Sequence, residues 1–177
     1  MSEGRMLASE RLELPVWGAD AIEALIDGDG ERLAALTGAV WPAPLVAPPE
    51  MDDALPFFAE RSRADPAAAH WWARLLVERE TRRVVGSSGF VGPPDADGVV
   101  TTGYAVYPAD QGRGYAGEAV RALVGWALRQ PGVRRVRATI HPTNLPSRRV
   151  AEKAGLRLVG RMHDETDGDL DVWETER

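Results

Sequence analysis

The chain has 177 residues, 44% hydrophobic and 27% charged, a balance that fits one globular domain with a sizeable core. Cysteine is absent, which excludes disulfides, thiolate metal sites and cysteine nucleophiles. A net charge of −6 argues against a general nucleic-acid binder, whose phosphate contacts call for a basic surface.

No apolar run approaches the ~20 residues of a membrane helix, and Met1 to Arg5 lacks the basic-then-apolar pattern of a secretory signal. The expected location is therefore the cytoplasm, with no membrane association. His70, His141 and His163 are scattered without metal-ligand spacing, so no metal is expected.

Leu12, Leu14 and Val16 alternate with Arg11 and Glu13, the signature of a half-buried strand. Ile22, Leu25 and Ile26 share one helical face, broken at Gly28-Asp29-Gly30, and a short helix with Leu33 and Leu36 follows. Four prolines between Trp41 and Pro49 mark a loop. Met51, Leu55 and Phe58 then space an amphipathic helix that ends before Pro66.

From Trp71 the period changes to two. Trp71, Ala73, Leu75 and Val77 alternate with Trp72, Arg74, Leu76 and Glu78. The turns Glu80–Arg82 and Gly92–Gly98 lead into strands through Val84–Phe90 and Val99–Tyr107, so three strands form an antiparallel meander. A strong helix begins near Tyr115, its stripe running through Ala116, Ala119, Val120, Leu123, Val124, Ala127 and Leu128 until Pro131-Gly132. Val136, Ala138 and Ile140 mark another strand, and Asn144 or Thr143 caps a short helix closing at Gly155. Two final strands, Leu156–Met162 and Leu170–Thr175, meet at Asp167–Asp169. The expected architecture is α/β, with a mixed, mostly antiparallel sheet of about six or seven strands and helices on both faces, parallel where the two helical crossovers demand it.

Gln111-Gly112-Arg113-Gly114-Tyr115-Ala116 stands between a strand and the strongest helix. Free N–H groups and the positive helix end converge there on an anion, and glycines let it approach. Arg113 could add a charge-assisted contact to a phosphate. The same pattern also makes a tight structural turn. Gly112, Gly114 and Gly117 match the spacing of a dinucleotide fingerprint, but the preceding strand belongs to a meander. No Gly-Lys-Ser/Thr is present, so a Walker loop is excluded.

The segment Gly103-Tyr104-Ala105-Val106-Tyr107-Pro108 through Gln111-Gly112-Arg113-Gly114-Tyr115-Ala116-Gly117-Glu118-Ala119-Val120 resembles the central motif of the GNAT superfamily of N-acetyltransferases. Ser9-Glu10-Arg11-Leu12-Glu13-Leu14 resembles the family's opening strand. His141-Pro142, Asn144, Ser147 and Val150-Ala151-Glu152-Lys153-Ala154-Gly155-Leu156 resemble its later motif. The branch most similar is the RimJ/RimL-like group, which acetylates ribosomal-protein N-termini and related amines. The match spans almost the whole chain.

The resemblance implies the GNAT fold and direct transfer from acetyl-CoA to an amine, either a protein N-terminus or a small molecule. It implies that Ala105, Val106 and Tyr107 pair with the pantetheine arm, which lies where their strand splays from its neighbour. Backbone N–H groups from Gly112, Arg113, Gly114, Tyr115 and Ala116 would hold the pyrophosphate, with Gln111 also among the cofactor-binding residues, and an N–H near Val106 would face the acetyl oxygen. Asn144 would hydrogen-bond the pantetheine amides, and Ser147 would protonate the departing sulfur. Plain capping of the helix by Asn144 is the other reading of that pair. A homodimer is common in the branch.

Two departures stand out. Thr101 occupies the position where relatives often carry a glutamate base, and Ala151 the position where many carry a tyrosine. Glu78 and Tyr104 are reserve candidates for proton relay, and one of Trp71 and Trp72 is a candidate for lining the acceptor pocket. Both departures keep open a non-catalytic acetyl-CoA-binding domain. An α/β nucleotide or phosphate binder of another class also stays open. A low-pKa amine suits a site with a weakened base, since an α-amine titrates near 8 and lysine near 10.4.

Overall fold

The computed structural model describes residues 6–176; Met1 to Arg5, considered above for a secretory signal, lie outside them. Eight strands form one sheet: β1 (Met6–Ala8), β2 (Leu12–Pro15), β3 (Ala73–Glu78), β4 (Val84–Phe90), β5 (Val99–Val106), β6 (Arg135–Ile140), β7 (Arg157–Asp164) and β8 (Gly168–Glu176). Their order across the sheet is β1-β2-β3-β4-β5-β6-β8-β7. Five α-helices accompany them: α1 (Ala19–Ile26), α2 (Gly30–Thr37), α3 (Leu55–Ala64), α4 (Tyr115–Ala127) and α5 (Leu145–Lys153).

The meander β3-β4-β5 is antiparallel as expected. The crossover through α4 makes β5 and β6 parallel. The crossover through α5 makes no second parallel pair, because β8 inserts between β6 and β7 and pairs antiparallel with both. The eighth strand is β1, three residues paired with β2. It is too short to carry an alternation pattern of its own. Trp71 ends a 3₁₀ turn instead of opening β3.

Two cores sandwich the sheet. On one face α4 and α5 bury Val120, Leu123 and Ala151 against Leu76, Val100 and Val136. On the other, α1 to α3 bury Ile22, Leu25, Leu33 and Leu55 against Leu75 and Val77. Burying Val120 and Leu123 alone is worth about 3–6 kcal/mol. That is the force that holds α4, since isolated helices of about a dozen residues are marginal in water.

Arg74 is fully buried on β3. Its guanidinium donates to the carbonyls of Leu14 at 2.9 Å and His70 at 3.2 Å, beneath the Trp126 ring. Burial lowers its pKa to about 10, so it remains charged at neutral pH. The alternation of β3 reads Arg74 as one more polar position. Its staple between β2 and the turn at His70 is decided by tertiary structure.

Candidate active site

The parallel pairing of β5 and β6 covers only Val99–Thr101 against Arg135–Arg137. Beyond that point β5 continues to Val106 and β6 to Ile140, each still paired on its outer edge, with β4 and β8 respectively. The two strands therefore diverge and leave an open, wedge-shaped slot in the middle of the sheet. Thr101 sits at its apex, opposite Arg137, whose guanidinium is bound by Glu174 at 2.6 Å.

Strand alternation decides which backbone groups line the slot. The carbonyl of Thr101 accepts from Val91 and the N–H of Tyr107 donates to Val85, so these odd-numbered residues turn toward β4. Tyr104 and Val106 consequently turn their backbone toward the slot. The three residues expected to pair with a ligand differ in where their backbone turns. Val106 keeps the geometry, whereas the N–H of Tyr107 is committed to Val85 and Ala105 is in register with Ser87 of β4. The Val106 carbonyl already accepts from Gln111 Nε2 at 3.0 Å. Gln111 thus closes the end of β5 with its side chain.

Past Gln111 the chain turns into α4. Gly112 and Gly114 hold φ of 74° and 84°, a left-handed conformation that a side chain disfavours by about 1–2 kcal/mol. Gly114 is the N-cap, and the first bond of the helix runs from the Glu118 N–H to its carbonyl at 3.1 Å. Among the described residues, no carbonyl or side chain accepts from the N–H groups of Gly112, Arg113, Gly114, Tyr115 or Ala116. A row of free donors at a helix N-terminus, beside an open sheet slot, fits an elongated ligand with an anionic end.

A ring of side chains fixes this turn from behind. Glu118 accepts from Ser9 Oγ at 2.6 Å, the Arg11 N–H at 2.7 Å and Arg11 Nε at 2.8 Å. Arg11 also donates to the Arg113 carbonyl at 3.0 Å and lies over the Tyr115 ring. Burial opposes ionisation of Glu118, but the bonds from Ser9 and Arg11 prevail and lower its pKa. The Arg113 guanidinium turns back to Asp110 at 3.2 Å and Glu78 at 3.5 Å, so it braces the loop. Arg83 grips the same buried Asp110 at 3.0 Å.

Glu78 is absorbed by this ring. Hydrogen bonds from Thr81 and Tyr115, with the charge of Arg113, hold its carboxyl below the usual range. A carboxylate so engaged is a support for the turn and a poor proton relay. Ser9, Arg11 and Asp110 have no distinctive spacing, and only the fold reveals their part.

Across the slot stands the first turn of α5. Asn144 Oδ1 accepts from the Ser147 N–H at 3.1 Å, the capping geometry weighed from sequence. Its amide NH₂ is left to face solvent or a ligand. Ser147 is half-buried, and among the described residues its hydroxyl has no partner. The Tyr104 phenol donates to the Ser147 carbonyl at 2.9 Å. Burial pushes that phenol up, so it stays neutral and a donor. Ala151 is packed inward under α4.

The expected aromatic pair divides between the two faces. Trp71 enters the core with Phe90 and Trp126, whereas Trp72 packs edge-on against Phe57 and Phe58 of α3. Both are buried. Among the described residues no cluster of histidines and carboxylates is arranged to hold a metal, and no helix is long and apolar enough to cross a membrane.

Comparison with known proteins agrees with this geometry. Residues 11–157 match the model of the acetyltransferase (GNAT) domain. N-acetyltransferase YjdG of Bacillus subtilis, itself uncharacterized, is 28% identical over 156 residues, covering 86% of this chain and 90% of that protein. Among solved structures, ribosomal-protein-S5-alanine acetyltransferase from Vibrio fischeri superposes with a TM-score of 0.67 at 14% identity, covering 97% of this chain and 96% of that one. RimL, a ribosomal L7/L12 α-N-protein acetyltransferase solved with coenzyme A, gives 0.66 at 18% identity, covering 97% of both. Those two likenesses concern the fold. With the family match spanning most of its length, the chain belongs to the GNAT family of N-acetyltransferases.

Proposed function

We propose that this protein transfers the acetyl group of acetyl-CoA to a primary amine of low pKa, such as a protein N-terminal α-amine. The observation that carries the reading is the row of unpartnered N–H groups from Gly112 to Ala116 at the mouth of the β5–β6 slot. The N–H groups and the helix end receive the pyrophosphate, and the slot-facing backbone of Tyr104 and Val106 receives the pantetheine arm.

In the reaction the amine nitrogen bonds to the thioester carbon and the C–S bond breaks. The nitrogen loses a proton and the sulfur gains one, giving an amide and free CoA. The half-buried Ser147 hydroxyl supplies the proton to sulfur, directly or through one water. Asn144 orients the first turn of α5 by capping it and offers its NH₂ to the pantetheine amides.

The position where relatives often carry a glutamate base holds Thr101, and the neighbouring Glu174 carboxylate is engaged by Arg135 and Arg137. The amine must therefore lose its proton with little help, which favours an α-amine over lysine. At pH 7 roughly a tenth of an α-amine is free, against well under ~0.1% of a lysine. Mass spectrometry of a peptide carrying both groups tests this: acetylation at the N-terminus first is expected, and lysine first would refute it. Calorimetry with acetyl-CoA against ATP and NAD tests the donor independently. The structural likeness to RimL and to the S5-alanine enzyme supports a protein N-terminus as acceptor.

A further inference from the structure

A cavity of about 140 Å³ lies on the α1–α3 face of the sheet, ending at Gly103–Ala105 of β5. Register explains why it exists. Ala73 faces Gly89, which faces Gly103, and Leu75 faces Ser87, which faces Ala105. Cross-strand partners share a sheet face, and Ala73 and Leu75 belong to the core on the α1–α3 side. Ala73, Ser87, Gly89, Gly103 and Ala105 thus make a floor of small residues across three strands, too shallow to fill the space beneath α3. Met51 and Phe58 form the apolar wall.

Of the polar residues in the lining, Ser88 and Tyr104 spend their hydroxyls on the carbonyls of Gly103 and Ser147, which leaves Ser87 and Glu50. Ser87 is only 2% exposed, and among the described residues its hydroxyl has no hydrogen-bond partner. Ser87 lines the cavity, so its hydroxyl is available to hydrogen-bond a ligand there. Among the described residues, Glu50 is the one charged residue of the lining. It is exposed, carries no ion pair among the described residues, and holds a left-handed φ of 63° that is unfavourable for a non-glycine residue. The other lining residues among those described are uncharged, so a cation entering here meets one carboxylate.

We propose that this cavity selects the acceptor. It takes a primary ammonium compound with a compact side group bearing one polar atom; Glu50 reads the ammonium at the mouth and Ser87 reads the polar atom on the floor. The inference rests on the acetyl-transfer reading, because the cavity ends on the strand that faces the slot. Size follows from volume: a cavity of roughly 150 Å³ accommodates a benzene ring, so side groups of about six non-hydrogen atoms or fewer are admitted. Glu50 draws the ammonium in at the mouth before its nitrogen reaches the thioester carbon, and Ser87 meets only the side group, so both act on specificity.

The test uses serinamide, 2-aminobutanamide and 2-naphthylalaninamide, followed by CoA thiol release, with acetyl-CoA affinity measured by calorimetry. Wild-type protein is expected to favour the two compact amides over the naphthyl compound tenfold or more in kcat/KM. Glu50→Gln should raise KM for all amides about tenfold with acetyl-CoA affinity unchanged, as for loss of a charge-assisted contact. Ser87→Ala should erase the preference for serinamide over its hydroxyl-free analogue, a factor of about three to ten.

Equal KM for compact and naphthyl amides, or an unmoved KM in Glu50→Gln, overturns the proposal while acetyl-CoA binding stands. Should wild type transfer nothing, the acetyl-transfer reading fails by itself, and the cavity is then judged by titrating ¹⁵N-labelled protein with serinamide. Shifts of the Ser87 and Gly103 amides, abolished in Gly103→Val, support the site, and no shift refutes it. A Cβ at Gly103 meets no atom within 4 Å, so that variant fills the cavity without disturbing the strand.

Discussion

The phenol of Tyr104, on β5, donates to the carbonyl of Ser147, in the first turn of α5, at 2.9 Å. This bond ties the diverging strand to the helix that carries the unpartnered Ser147 hydroxyl. It sets where that hydroxyl stands relative to the slot. Tyr104→Phe leaves the packing and removes the tie, at a cost of about 1 kcal/mol. The expected result is a drop in Tm of about 2–4 °C and a severalfold lower kcat with acetyl-CoA affinity retained. An unchanged kcat would show that the tie positions nothing.

Ser147→Ala removes the proposed proton donor without touching the backbone carbonyl that Tyr104 grips. General acid catalysis is typically worth about 10²–10⁴ in rate, so kcat should fall at least a hundredfold while KM for the amine stays put. Steady-state kinetics distinguishes this from a mere helix-cap effect, which Asn144→Ala would report as about 1 kcal/mol of stability.

Gly114→Val challenges the anion turn. The residue holds φ of 84°, and an added Cβ would stand 3.3 Å from Arg11 Nη2, the mobile end of a long side chain. The fold should survive at about 1–2 kcal/mol of strain. Calorimetry should find acetyl-CoA binding weakened at least tenfold, because the strained turn no longer aims its N–H groups together. Full affinity in a folded variant would remove the turn from the binding site.

The clamp on Glu118 gives the turn a pH dependence. Its carboxyl is depressed by Ser9 and Arg11 in the folded protein, so its stabilisation is complete above the ordinary glutamate pKa of about 4.3. It is lost as pH falls through the lower folded value. Glu118→Gln should flatten the acid limb of a Tm-against-pH curve in that range. It should also weaken acetyl-CoA binding at pH 7, since Arg11 would lose the partner that holds it beneath the Arg113 carbonyl.

Local pattern alone determined most of the elements. The period-two runs of β3 to β5, the stripe of α4 and the cap at Asn144 are written in residue spacing because each element buries one face. The resemblance of residues 103–120 to the family motif likewise pointed to the turn before α4, where Gly112 and Gly114 adopt left-handed backbone. Register and long-range pairing were beyond such patterns. The insertion of β8 between β6 and β7, the parting of β5 from β6 after Thr101, and the turn of Tyr107 toward β4 each depend on partners distant in sequence. The ring of Ser9, Arg11, Glu78 and Asp110 and the shallow floor around Ser87 arise the same way. A hydrogen bond or a cavity belongs to two or more segments at once, so only the assembled sheet decides it.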